Sequence, residues 1–176
     1  MIKIIFLDID GVLNCENYYT EHFKNFGTGP KWDKFGEHFY YKNIENLKIL
    51  IEKTGAEIVI SAGARVKGLD EMKKMWKYRG LPGKIIDVTP SFALESSKIP
   101  RGVEIEKWLN GKDFSYYDCP WQTYKESIEK SGIKSHVILD DDIDMFCYQS
   151  PYFVQTSRKS GFNKKCLQKA IKILNR

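Results

Sequence analysis

The stretch IKIIFLDIDG, residues 2–11, governs how the rest of the chain is read. From Ile2 to Leu7 it is a nearly continuous run of β-branched, aliphatic and aromatic side chains, and it stops at Asp8. A strand that is apolar on both faces belongs to a parallel sheet covered by helices on each side. The chain downstream repeats that logic. Ile44, Leu47, Leu50 and Ile51 recur at helical spacing in Asn43–Lys53, and Thr54-Gly55 ends the helix they predict. Ala56–Ile60 reads as the next strand, Leu69–Tyr78 as a lysine-rich amphipathic helix closed by Gly80, and Lys84–Val88 as a third strand. Val103–Leu109 and residues 121–130 read as helices, Ser135–Leu139 and Tyr152–Gln155 as strands, and Lys164–Leu174 as a closing helix. This alternation predicts an α/β fold with a mostly parallel sheet flanked by helices, whose ligands lie outside the carboxyl ends of the strands.

A length of 176 residues suits one domain, spanning residues 1–176, better than two. Hydrophobic residues at 42% and charged residues at 29% argue against disorder and against a membrane-embedded chain. No apolar run approaches the roughly 20 residues that cross a bilayer. Asp8 and Asp10 also break what would be the apolar centre of a signal peptide, so a reduced, cytoplasmic setting is expected. Cys15, Cys119, Cys147 and Cys166 are scattered without zinc spacing and read as buried or idle thiols. The net charge, 28 − 23 = +5, suits a phosphorylated substrate or nucleic acid without requiring either. One segment breaks the rhythm. Asn14–Tyr41 far exceeds the roughly 2–6 residues of a βα connection and is rich in Tyr, Phe and Trp. It reads as an aromatic flap over a site, helped by Tyr116, Tyr117 and Trp121, whose rings either stack on bases or pack into a small satellite core.

The chemistry-bearing residues cluster at strand ends. Asp8 and Asp10 leave the first strand just before Gly11; a polar turn would explain one of them, but two carboxylates after a buried strand point to a site. Asp140, Asp141, Asp142 and Asp144 follow a second buried strand, which a parallel sheet brings to the same edge. Carboxylates packed together repel unless a cation or proton intervenes, and hard oxygen ligands left open to a phosphate suit Mg²⁺. A helix cap accounts for one of these four acids, and an EF-hand is excluded by Met145 and Pro151 at its sixth and twelfth positions. Ser61 closes the strand Ala56–Ile60, where its hydroxyl either caps the next turn or holds a phosphoryl oxygen. Lys98 and Arg101 precede a helix, and either could neutralise phosphate.

Taken in order, Asp8-Ile9-Asp10-Gly11, Ser61, the Lys98/Arg101 pair and Asp140-Asp141 resemble the four motifs of the haloacid dehalogenase (HAD) superfamily of phosphohydrolases. The wording FLDIDGVLN, TGAEIVIS, RGVEIEKWL and VILDDD is most similar to the small HAD domains associated with RNA repair proteins, which are like the phosphatase modules of polynucleotide kinase-phosphatases. The resemblance implies a Rossmann-like HAD fold without a large cap, and Asp8 as a nucleophile that forms an aspartyl-phosphate. It further implies Asp10 as the acid and base, and Mg²⁺ held by Asp8, the Asp10 carbonyl and one fourth-motif acid, Asp141, with Asp140 and Asp142 ordering waters. Ser61 would bind the phosphoryl group beside Lys98 or Arg101. The chain departs from related second motifs at Ala62 and Ala64, and no Walker loop is present for a kinase partner.

The expected function is therefore a Mg²⁺-dependent phosphomonoesterase acting on a nucleotide or nucleic-acid end. A small-metabolite phosphatase and a non-catalytic nucleic-acid-binding module of the same fold are the alternatives. The clustered, mutually repelling acids count against the last of these.

Overall fold

The computed structural model describes residues 1–92, 99–111, 128 and 131–176. Lys98, Tyr116, Tyr117, Cys119, Trp121 and nearly all of the helix expected over residues 121–130 lie outside the described residues. In chain order the elements are β1 (Ile2–Leu7), α1 (Glu16–Phe26), β2 (Trp32–Asp33), β3 (Gly36–Glu37), α2 (Tyr41–Thr54), β4 (Glu57–Ile60) and a 3₁₀ turn (Gly63–Lys67). They continue with α3 (Leu69–Tyr78), β5 (Ile85–Val88), α4 (Arg101–Asn110), β6 (Ile133–Asp140), a second 3₁₀ turn (Cys147–Tyr152), β7 (Phe153–Gln155) and α5 (Lys164–Leu174). No helix among the described residues is long and apolar enough to cross a membrane.

Five of the strands form a parallel sheet in the order β5-β4-β1-β6-β7. The central strand β1 is buried on both faces because its side chains alternate between two cores. Ile5 and Leu7 face a large core shared with Leu47 and Leu50 of α2, Met72, Met75 and Trp76 of α3, and Leu167, Ala170 and Leu174 of α5. Ile4 and Phe6 face the other side, with Val59 of β4, Ile105 and Leu109 of α4 and Ile138 of β6. The chain runs outward from β1 through β4 to β5, then returns to the opposite side of β1 through β6 and β7. That reversal opens a crevice at the carboxyl ends of β1 and β6, the place where open α/β sheets bind ligands.

The segment Asn14–Tyr41 carries its own secondary structure, α1 and the hairpin β2-β3. Tyr18 is buried with Cys15 and Tyr40, and its ring stacks on Tyr40 at 5.4 Å. Of the Tyr and Phe rings in α1 only Tyr18 is buried, whereas Tyr19, Phe23 and Phe26 are exposed, so the helix carries no aliphatic periodicity by which to detect it. The hairpin is clamped to the end of α3: Arg79 donates to both Asp33 carboxylate oxygens at 2.9 and 2.8 Å, and Phe35 meets Tyr78 edge-on.

Helix α4 begins two residues earlier than its apolar spacing suggests, because its start is held from outside. Arg101 N–H donates to the Asp144 carboxylate at 2.7 Å and Gly102 N–H to the Asp144 carbonyl at 3.2 Å, supplying two of the helix's orphan donors with acceptors. Gln149 donates to the Gly102 carbonyl at 2.9 Å. A Cβ at Gly102 would collide with the Gln149 side-chain oxygen and lie 3.0 Å from the Phe146 amide nitrogen. Gly102→Ala therefore sets a helix-propensity gain of at most about 1 kcal/mol against overpacking of about 1–3 kcal/mol. Net destabilisation is expected, read as a lower urea midpoint at unchanged m-value; a raised midpoint would show that the segment 145–149 gives way freely.

Candidate active site

Every strand of the parallel sheet is followed by, or ends in, a buried polar residue at the same edge: Thr89, Ser61, Asp8, Asp140 and Thr156, in sheet order. Parallel pairing puts them level. Leu7 pairs with Leu139 and Ile60, Asp8 N–H donates to the Leu139 carbonyl at 3.0 Å, and Ser61 N–H to the Leu7 carbonyl at 2.8 Å. The Thr89 hydroxyl lies 3.4 Å from the Ser61 hydroxyl, and Thr156 N–H donates to the Asp140 carbonyl at 2.8 Å.

Beyond Asp8 the chain coils into a tight turn, with the amides of Val12, Leu13 and Asn14 all directed at the Ile9 carbonyl. The turn needs Gly11, whose φ of 72° is left-handed and whose missing side chain leaves room for the Asp141 carboxylate. Asp8, Asp140 and Asp141 thereby offer carboxylate oxygens within 4.8 Å of one another. Burial and the facing Asp140 carboxylate raise Asp8 well above the ordinary carboxylate range, against the pull of Arg101. Burial raises Asp140 as well, opposed by the Asp142 amide and Arg101. Buried, mutually repelling oxygens around a cradle that only glycine permits fit a hard divalent cation. Arg158 donates to Asp141 at 2.7 Å and approaches Asp142 at 3.3 Å, covering the outer side of the cluster.

Arg101, the first residue of α4, reaches the acids from the other side, its Nε 3.6 Å from an Asp140 oxygen. Its guanidinium is steadied by Glu104 at 3.1 Å. Glu104 also pairs with Arg65 and accepts the Phe92 amide at 3.2 Å. Arg65 is 4% exposed and donates to the carbonyls of Ala62 at 2.7 Å and Thr89 at 3.1 Å. An Arg-Glu-Arg chain, with Arg65 and Glu104 buried and Arg101 partly exposed, thus joins the ends of β4 and β5 to the start of α4.

Asp10 is exposed and points into a cleft of about 280 Å³ bounded by the hairpin and α3, with Asn14, Trp32, Phe39, Lys67 and Arg79 among its lining residues. The Asn14 amide nitrogen lies 3.5 Å from an Asp10 oxygen.

The structure brings Asp8, Asp140, Asp141 and Arg101 into one cluster, with Ser61 on the neighbouring strand end and Asp10 beside it. Asp142 stays on the rim with Arg158, and Asp144 caps α4. Of the two cations expected before that helix, Arg101 reaches the acids; Lys98 lies outside the described residues. Sequence reasoning missed Thr89, Glu104 and Arg158. Thr89 follows its strand just as Ser61 does and could have been found that way. Glu104, flanked by Val103 and Ile105, carries no local signal of its ion pairs.

Residues 4–167 match the family model described as the HAD domain in Swiss Army Knife RNA repair proteins. No curated protein and no solved structure shows a significant match to the chain.

A carboxyl group whose pKa is raised on folding stabilises the fold fully below its unfolded pKa and loses that contribution as the pH climbs past neutrality. In metal-free buffer Asp8→Asn should therefore raise Tm over the wild type at pH 8 by about 2 °C or more, with the gap closing towards pH 4. Thermal melts at the two pH values check this, and a gap independent of pH would remove the electrostatic constraint from Asp8.

Proposed function

The chain belongs to the HAD domains found in Swiss Army Knife RNA repair proteins, and from that premise we propose that it is a Mg²⁺-dependent phosphomonoesterase acting on a phosphorylated nucleic-acid end. The observation that carries the reading is the buried Asp8-Asp140-Asp141 cluster, whose mutual repulsion a divalent cation bridging to a phosphate would relieve.

Asp8 is the nucleophile. Its carboxylate oxygen attacks phosphorus as the bond from phosphorus to the ester oxygen breaks, leaving an aspartyl-phosphate. Asp10, exposed to the cleft that would receive the leaving group, gives a proton to the departing oxygen and then takes one from the water that hydrolyses the phosphoenzyme. Regenerated Asp8 and inorganic phosphate complete the balance. The Ser61 hydroxyl holds a non-bridging oxygen at the end of β4. Arg101, tethered by Glu104 and by the Asp144 cap, stabilises the charge that develops on the transferring group. Asp8, Asp140 and Asp141 would hold Mg²⁺, which when bound neutralises the carboxylates and the phosphoryl oxygens.

Wild-type protein should hydrolyse an aryl phosphate with Mg²⁺ and stop in excess EDTA, and Asp8→Asn should lose turnover while its circular dichroism stays native. Undiminished turnover in Asp8→Asn would falsify the assignment. Asp141→Ala should raise the Mg²⁺ concentration for half-maximal activity by about tenfold or more, in line with loss of a direct ligand. Asp144→Ala should instead lower stability by about 1 kcal/mol through the lost cap and leave that concentration near the wild-type value. Equal shifts in Mg²⁺ dependence would move the metal away from Asp141.

A further inference from the structure

Among the described residues Trp32 carries the largest exposed ring beside the crevice: it is 73% exposed and lines the cleft that holds Asp10. Its hairpin is not loose. Asp33 is locked to Arg79 by two hydrogen bonds, and Phe35 packs on Tyr78, so the indole is presented from a fixed support while contributing little to any core. The other rings of the segment are used differently. Tyr18 is buried against Tyr40, and the Tyr19 hydroxyl donates to Glu37.

Lys67 lines this cleft and also the groove next to it, which runs along α3 between Lys34, Lys74 and Lys77. All four lysines are exposed, and the acid lining the groove is Glu71, paired with Lys74 at 2.6 Å. Lys34 is held over the rings of Phe35 and Tyr78 at 5.1 and 4.7 Å, which keeps its charge at the groove wall. Glu37 and Glu71 also line the Trp32 cleft, Glu37 accepting from the Tyr19 hydroxyl and Glu71 from Lys74; beyond them the path from Asp10 runs over an aromatic platform to a line of cations. A compact phosphorylated metabolite has no use for charges beyond the cleft, whereas a strand with further phosphates does.

We propose that the Trp32 cleft and the lysine-lined groove form the leaving-group subsite for a single-stranded oligonucleotide bearing a terminal phosphate. The terminal base stacks on Trp32 and the next phosphates follow Lys67, Lys34, Lys74 and Lys77. A single strand suits the subsite because its terminal base is free to swing onto the indole while the flexible backbone behind it follows the lysines. The inference rests on the phosphatase reading and adds which part of the chain holds the polymer.

The test uses hexanucleotides phosphorylated at the 5′ or the 3′ end, the matching mononucleotides and an aryl phosphate. Trp32→Ala should raise KM for the preferred phosphorylated hexanucleotide by about tenfold or more while kcat stays within about twofold, and Trp32→Phe should recover most of the loss. Fluorescence anisotropy with the hydroxyl-ended hexanucleotide, which cannot react, reads the same subsite without turnover. Trp32→Ala should weaken that binding in parallel. Lys74→Ala/Lys77→Ala should flatten the slope of log affinity against log salt by about 0.7 for each phosphate that is no longer neutralised. Mononucleotide and hexanucleotide with equal KM, or variants that bind the hexanucleotide as the wild type does, overturn the inference while leaving the phosphatase reading intact. Absence of aryl phosphate hydrolysis sinks the phosphatase reading instead, and the anisotropy still decides the subsite.

Discussion

Two buried carboxylates on adjacent parallel strands set the terms for everything around them. Leu7 and Leu139 pair in register, so Asp8 and Asp140 leave the sheet side by side at its carboxyl edge, where water cannot screen them. Like charges at such a place are tolerated only with a proton, a cation or a guanidinium close by. Gly11 lets Asp141 join the pair, Arg101 answers Asp140 from α4, and Arg158 covers Asp141 from outside. The same repulsion that burdens the fold is what suits the crevice to a hard divalent cation.

Holding Arg101 in place takes more structure than Arg101 itself. Asp144 supplies acceptors for the first amides of α4, Gln149 grips the Gly102 carbonyl, and Glu104 connects the Arg101 guanidinium to the buried Arg65. Arg65 in turn binds carbonyls at the ends of β4 and β5. The helix, the sheet edge and the acid cluster are therefore coupled through charged groups that would each be costly to leave unpaired. A change at Glu104 reaches the crevice without touching any ligand there.

The aromatic segment after β1 divides its labour between packing and presentation. Tyr18 and Tyr40 make a small core beneath α1, while the Arg79-Asp33 pair fixes the hairpin that carries Trp32 out over the cleft. With no large cap among the described residues, the approach to Asp10 stays open along α3, where the lysines stand.

The sequence by itself determined the α/β alternation, because apolar runs that end in acids and helices with 3.6-residue spacing are local patterns. Leu69–Tyr78 and Lys164–Leu174 are found at the residues their periodicity indicates. It also determined which strand ends carry carboxylates and a hydroxyl and which helix start carries a cation, since Asp8, Asp140, Asp141, Ser61 and Arg101 are each marked by position relative to a predicted element. Only the tertiary structure decided which of these side chains meet. Asp144 turned out to serve a distant helix start, Glu104 to bridge two arginines, and Trp32 rather than Tyr18 to face the cleft. Each of those outcomes depends on contacts between residues far apart in the chain, and the energy of a buried ion pair or stacked ring has no signature in the neighbours along the sequence.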